Sequence, residues 1–345
     1  MANESPRRHL FRRAKVAATG YARHLASTRL GRKARQTLVD DPMPATLDPW
    51  LEPLFSEDLD RIDAAIKGAG PEGYALFRDL DDDLWSLLLT KDYSAWPEIR
   101  GFLPDLPDPA LQTMWNGTSG PALAAQSVCF YRKLKQMQAL HGERPLGESK
   151  VLDFGCGWGR LTRMLARDVK PGNLYGCDPV ESILQISRDS RVPAELARSE
   201  FLPERLPFAE QLDLVFSFSV FTHISEAAHF ASLKAIHQGL AENGLFVVTI
   251  RPPAYLDLNP LMHPLVDRLG EDPQAELRKP RYLFLPHATE GHPQYDEKAD
   301  DPMSYGDTVI TLPWVREKWG DLFELLDVSI LTGDMYQLTL TLRRR

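Results

Sequence analysis

The run KVLDFGCGWGRLTRML, residues 150–165, sets Gly155, Gly157 and Gly159 directly after an apolar strand and before a helix. Glycines at alternate positions bare the main chain, so a ligand can approach backbone N–H groups at the helix entrance. A dinucleotide fingerprint needs glycine at the first, third and sixth positions, and the sixth position here is Arg160. Arginine there disfavours a pyrophosphate, which leaves an NAD-dependent oxidoreductase as the weaker alternative. A ligand without phosphates, but with an amino-acid tail and a ribose, fits better. Its carboxylate can meet the turn's N–H groups while Asp153 sits near its ammonium. The next expected strand ends GCDP, with Asp178 nineteen residues past Gly159. A carboxylate at that place can accept charge-assisted hydrogen bonds from both ribose hydroxyls.

Four segments extend the pattern in order: VLDFGCGWGR, YGCDP, LPFAEQLDLVFSFSVFTHIS and LAENGLFVVTI. Together they resemble the class I S-adenosylmethionine-dependent methyltransferases over residues 149–251. The resemblance implies an α/β fold with a Rossmann-like seven-stranded sheet, its one antiparallel strand near 336–343. It implies S-adenosylmethionine bound across the strand C-termini. Asp153, Gly155, Gly157 and Gly159 would border the methionine part and Asp178 the ribose, with Cys156, Phe218 and Ser219 also expected at the cofactor. The family's acidic adenine-side residue stands four before LPF, where this chain has Leu202; Ser199 or Glu200 is expected to serve instead. GCGWGRLTR and SVFTHIS are also similar, more loosely, to bacterial methyltransferases of glycans and secondary metabolites.

Methyl transfer asks the protein for alignment and a suitable nucleophile, because the cofactor carries the hard chemistry. A hydroxyl acceptor gains from a base, and His223, after the fourth expected strand, is the candidate. His287, His292 and Tyr295, in the insertion LPHATEGHPQYDE, are candidate contacts to a small-molecule or glycan acceptor. No metal is expected: the His287–His292 spacing is generic. Arg160 and Arg163 are expected in surface ion pairs. WNGTSG, residues 115–120, is expected to fold over the cofactor as a lid. Phe130 and Tyr131 are expected in the core. The rival from another class is a noncatalytic cofactor-binding module that docks partners.

These residues need elements to hold them. Strand and helix alternate from 149 to 251, the signature of a parallel sheet wrapped by helices. Strands are expected at 150–154, 174–177, 212–218 and 244–251, with Asn243-Gly244 stopping the helix before the last. A helix near 313–319 and strands at 322–330 and 336–343 close the chain. The alternation breaks at 252–310, a segment with nine prolines whose position favours a substrate platform. The organisation expected is a basic arm at 1–37, a helical region at 38–148 and the catalytic domain at 149–345. Helices are expected near 56–69, 72–89 and 121–141, and the acidic run 79–85 as a solvated helix turn.

The 345 residues carry a net charge of −8. The first 37 hold ten Lys or Arg and one Glu, so the rest is strongly acidic. An acidic body repels phosphate, which argues against a nucleic-acid substrate. The basic arm is compatible with peripheral contact to an anionic membrane. Three cysteines without ligand spacing suit reduced thiols and a cytoplasmic setting.

Overall fold

A computed structural model of the chain describes residues 46–286 and 305–345. The basic arm and the segment carrying His287, His292 and Tyr295 lie outside the described residues. Nine strands are placed: β1 Val151–Phe154, β2 Leu174–Asp178, β3 Glu195–Arg198, β4 Leu212–Ser217, β5 Leu240–Ile250, β6 Tyr282–Pro286, β7 Gly306–Ile310, β8 Phe323–Leu331 and β9 Asp334–Arg344. Among the described residues, seven of them form the main sheet in the order β3-β2-β1-β4-β5-β9-β8. The first five run parallel; β9 is antiparallel to both β5 and β8. This is the expected seven-stranded α/β sheet with one reversed strand. β6 and β7, inside the 252–310 insertion, pair as a separate ribbon.

The central strands are apolar because helices cover both faces, as parallel sheets require. Leu152, Val215, Phe246 and Val248 are fully buried, and Trp314 and Trp319 seal one face. The chain reverses its strand order between β1 and β4, so the crevice at that switch point opens at the C-terminal edge. Asn243-Gly244 does not stop a helix. The helix ends at Gly239, and Asn243, with φ +59°, belongs to a bulge where the β4–β5 register shifts.

The helical region supplies α1 Asp48–Ile66, α2 Asp82–Thr90, α3 Pro97–Phe102, α4 Pro109–Asn116 and α5 Gly120–His141. α5 docks on the sheet through Phe130, 4.7 Å from the Phe218 ring. Phe130 and Tyr131 are core residues, as expected. In the acidic run 79–85, Asp79, Asp81 and Asp83 are exposed, as expected of a solvated helix turn, while Asp82 is half-buried. Asp81 caps α2, accepting from the Asp83 and Leu84 N–H groups, and Asp82 pairs with the buried Arg167. After β1 come α6 Thr162–Leu165, α7 Glu181–Asp189 and α8 Glu226–Gly239. No described helix is long and apolar enough to cross a membrane.

Candidate active site

A cavity of about 610 Å³ opens over the C-terminal ends of β1, β2, β4 and β5. The glycine turn is one wall. Gly155, Gly157 and Gly159 all have positive φ, at +79°, +54° and +77°, a region side chains rarely tolerate. The three glycines have different reasons for being bare. A Cβ on Gly155 would strike the Val220 side chain. On Gly159 it would meet Ser187 Oγ and Val192 at 2.7 Å, so this glycine serves the packing of α7. Gly159 is absent from the cavity lining, against the expectation that it borders the ligand. Gly157 faces open space and lines the cavity, so its backbone is open to a ligand.

Asp178 closes the same wall from the end of β2. Its Oδ2 accepts from Gly157 N and its Oδ1 from Val180 N, both at 3.0 Å. These two bonds orient the carboxylate along the cavity wall. Ser199 and Glu200 both line the cavity beside it, whereas Leu202 is exposed and does not. Cys156, Phe218 and Ser219 also line it. Ser219 has φ +61°; its N–H donates to Thr249 Oγ1 at 2.8 Å, which holds the strained turn.

The inner end is charged. Asp153 is 3% exposed and accepts from Thr162 Oγ1 at 2.6 Å. Burial pushes its carboxyl up to about 7. Arg160 and Arg163 do not sit in surface ion pairs. Arg160 is buried, donates to Gln126 Oε1 at 2.6 Å and stacks 4.9 Å from the Phe218 ring. Burial lowers its pKa to about 10. Arg163, 1% exposed, laces the turn by donating to the carbonyls of Gly159 and Trp158, and to Asp105 O at 2.8 Å. Opposite Arg160 lies Asp334, at the start of β9. Its Oδ2 accepts from Gln126 and Gln337, and burial raises its pKa.

The roof comes from α4 and the turn after it. Trp115, Asn116, Gly117 and Thr118 line the cavity, and Trp158 Nε1 donates to Asn116 Oδ1 at 2.8 Å. Leu123, Trp158, Val180 and Ile183 form the apolar cluster beneath it.

The outer end lies over β5 and β9. His223 lines it, stacked on Tyr305 with ring centroids 5.2 Å apart and planes at 13°. Its Nε2 faces Arg251 Nη2 at 2.9 Å, and its Nδ1 faces Gly306 O at 2.8 Å. Arginine only donates, so Nε2 accepts and Nδ1 carries the proton. The lone pair that a base needs is thus engaged by Arg251 in this arrangement. Arg251 also pairs with the buried Asp307 and lies 4.3 Å over the Tyr255 ring. Arg251, Tyr255, Tyr305, Asp334, Tyr336 and Gln337 all line the cavity without having been singled out from the sequence. Among the described residues, no cluster of three or more His, Cys, Asp or Glu is arranged to hold a metal ion.

The walls fit an aminoacyl sulfonium nucleoside. Arg160 suits a carboxylate, Asp153 and Asp334 an ammonium, and Asp178 a ribose. Four lining carboxylates (Asp153, Asp178, Glu200, Asp334) against two guanidiniums (Arg160, Arg251) suit a cation.

Asp153 gives a test with two opposite readouts. Its pKa in the fold is raised from 3.8 to about 7. The folded state therefore keeps a proton that the unfolded chain loses, so stability falls as pH rises across that window. Asp153→Asn is expected to raise the melting temperature at pH 8 and flatten its pH dependence between pH 4 and 7. The same change is expected to weaken cofactor binding about tenfold, the value of one charge-assisted contact. Thermal melts and calorimetric titration check both; an unchanged melting profile would contradict the burial argument.

The methyltransferase-domain family profile matches residues 151–244. The mouse mitochondrial ubiquinone biosynthesis O-methyltransferase is 30% identical over 127 residues, 34% of this chain and 33% of its own length. The chain thus spans about a third of that relative. Among solved structures, magnesium protoporphyrin IX methyltransferase from Synechocystis PCC 6803 shares 13% identity, with 78% of this chain and 96% of that chain covered at a TM-score of 0.44. An S-adenosylmethionine-dependent methyltransferase from Clostridium acetobutylicum ATCC 824 shares 15%, with 68% and 96% covered at 0.43. The glycine turn, the carboxylate after β2 and the strand order go with the profile match: residues 151–244 are those of a methyltransferase domain, on the Rossmann-like methyltransferase fold.

Proposed function

We propose that the protein transfers a methyl group from S-adenosylmethionine to an oxygen of a small molecule or glycan. One observation carries this reading. A single cavity joins a wall suited to the cofactor, at Gly157 and Asp178, to a separate outer end at Arg251 and His223. When bound, S-adenosylmethionine would supply an electrophilic methyl group to the acceptor oxygen, with a neutral thioether as leaving group and the acceptor's proton released. The protein's own residues orient and shield. Asp178 and the turn hold the sugar side, while Arg160 and Asp153 fix the tail. Trp115 to Thr118 exclude water from above. Holding two reactants in line can supply up to ~7–11 kcal/mol of the barrier.

His223 holds Arg251 towards the outer end through Nε2, and it can take the proton there once Arg251 turns to the acceptor oxygen. The name of the mouse relative supports oxygen as the atom modified.

The test is incubation with methyl-labelled cofactor and fractionated cell extract. Label is expected in an acceptor fraction together with S-adenosylhomocysteine, both lost in Asp178→Ala. Tight cofactor binding with no label transferred to any fraction would favour the noncatalytic docking module instead.

A further inference from the structure

Behind the outer end of the cavity stands a carboxylate that lines no part of it. Asp307 is 5% exposed and belongs to β7 of the insertion. Both of its oxygens are held. Oδ1 pairs with Arg251, and Oδ2 accepts from Asn259 Nδ2 at 3.3 Å. Asn259 follows the single turn α9 Tyr255–Leu258 and also donates to Tyr255 Oη at 3.0 Å. The main chain on either side is fixed as well. Gly306 N donates to His223 O at 2.7 Å, Thr308 N to Thr222 O at 2.9 Å and Ile310 N to Arg251 O at 3.0 Å. These bonds stitch β7 to the segments that follow β4 and β5, so the carboxylate is presented at one place.

That place faces two cavity residues at once. His223 Nδ1 lies 3.7 Å from Asp307 Oδ1, while its Nε2 accepts from Arg251 Nη2. Around the imidazole stand Arg251 from the end of β5, Asp307 from β7, Tyr305 stacked on its face, and Tyr255 beneath the guanidinium. A proton taken up at Nε2 costs the bond from Arg251 and sets a second cation beside it, which a like charge at contact disfavours. Asp307 is an anion placed against both partners, and opposite charge at that range favours the imidazolium. With it, the three side chains pass from neutral to a single positive charge; without it they would start positive and gain another. Arg251 keeps its anchor in either state, because Nη1 alone holds both Asp307 and Thr222 O, and only Nη2 is released.

Resting on the methyltransferase reading, we infer that Asp307 is a positioning residue of the transfer step. It anchors Arg251 through Nη1 and balances its charge. The proton released as the acceptor oxygen takes the methyl group then passes to His223 Nε2 beside a fixed, neutralised cation. The insertion thus contributes to the chemistry from behind the cavity wall.

The test reads His223 itself, by NMR titration of ring-labelled histidine in the full chain loaded with S-adenosylhomocysteine. The His223 signal is the one lost in His223→Gln. Calorimetric titration with S-adenosylhomocysteine comes first: no binding by the unsubstituted protein refutes the methyltransferase reading, whereas binding with the wrong titration refutes this inference alone. Asp307→Asn keeps the shape of the side chain and removes its charge. It is expected to move the His223 midpoint about one pH unit lower, the effect of losing an opposite charge within ~4–6 Å. Arg251→Gln is expected to move the midpoint higher by a similar amount, and Asp307→Glu, which keeps the charge, to leave it near the unsubstituted value. In the labelling assay, Asp307→Asn is expected to slow methyl transfer at least about tenfold, a modest part of what a base supplies. A carboxylate with a merely structural role would change stability and leave the titration in place. An unmoved or higher midpoint in Asp307→Asn therefore overturns the inference, and so does undiminished transfer. Should Asp307→Asn fail to fold, Asp307→Ser is titrated in its place. Should both fail, Arg251→Gln decides: with Asp307 facing the imidazole alone, an unmoved or lower midpoint overturns the inference.

Discussion

Asp178→Ala is expected to reduce S-adenosylhomocysteine affinity by at least about 100-fold while the fold survives. The estimate rests on losing two hydrogen bonds to a charged acceptor, each worth roughly 1.5–3 kcal/mol, where about 1.4 kcal/mol is a factor of ten. The loss also frees the Gly157 N–H, which the carboxylate now holds at 3.0 Å, and so loosens the cradle. Asp178→Asn keeps an acceptor oxygen without the charge, and an intermediate loss of about tenfold is expected. Calorimetric titration reads affinity, and circular dichroism with thermal melting reads the fold. Unchanged affinity in the alanine variant would remove Asp178 from the site.

Arg167→Met is expected to destabilise the protein by about 3–5 kcal/mol, the cost of breaking a buried ion pair by removing one partner. Arg167 is 1% exposed. It donates to Phe77 O at 3.1 Å, to Leu80 O at 2.7 Å and to Tyr131 Oη at 3.2 Å, and it pairs with Asp82. Its guanidinium lies 5.5 Å from the Trp85 ring. One side chain thus ties α2, the turn before α2 and α5 to the segment after β1. Lysine cannot reproduce the planar fork, so Arg167→Lys is expected to recover little. Chemical denaturation measures this, and a loss below about 0.5 kcal/mol would show that the helical region is held otherwise.

The parts of the fold set by local rules were readable in the sequence. The Gly155–Gly159 turn, the strand before it and Asp178 after it lie within one short βαβ stretch, where hydrophobic periodicity and turn chemistry act at close range. The reversed strand near 336–343 was also expected, though β9 begins two residues earlier, at Asp334. That extension matters, because Asp334 and Gln337 reach the cavity only through long-range pairing with β5 and β8. Arg160 and Arg163 read as surface residues because arginine is rarely buried unless paired. Their partners, Gln126 and Asp105, lie more than thirty residues away, and nothing local announces them. Gly159 looked like part of the ligand cradle, and only the packing of α7 shows why it must be bare. The histidine at 223 was legible as a cavity residue, but its hydrogen bond with Arg251 was not. That bond joins the ends of β4 and β5, which are neighbours in the sheet but not in the chain.

A crystal structure of the protein grown with S-adenosylhomocysteine is the most direct test of the central claim. The account predicts the ribose hydroxyls on Asp178, the amino-acid tail between Asp153 and Arg160, and the sulfur turned towards the outer end at Arg251. Density for the ligand in another crevice, or a tail pointing away from Asp153 and Arg160, would contradict it.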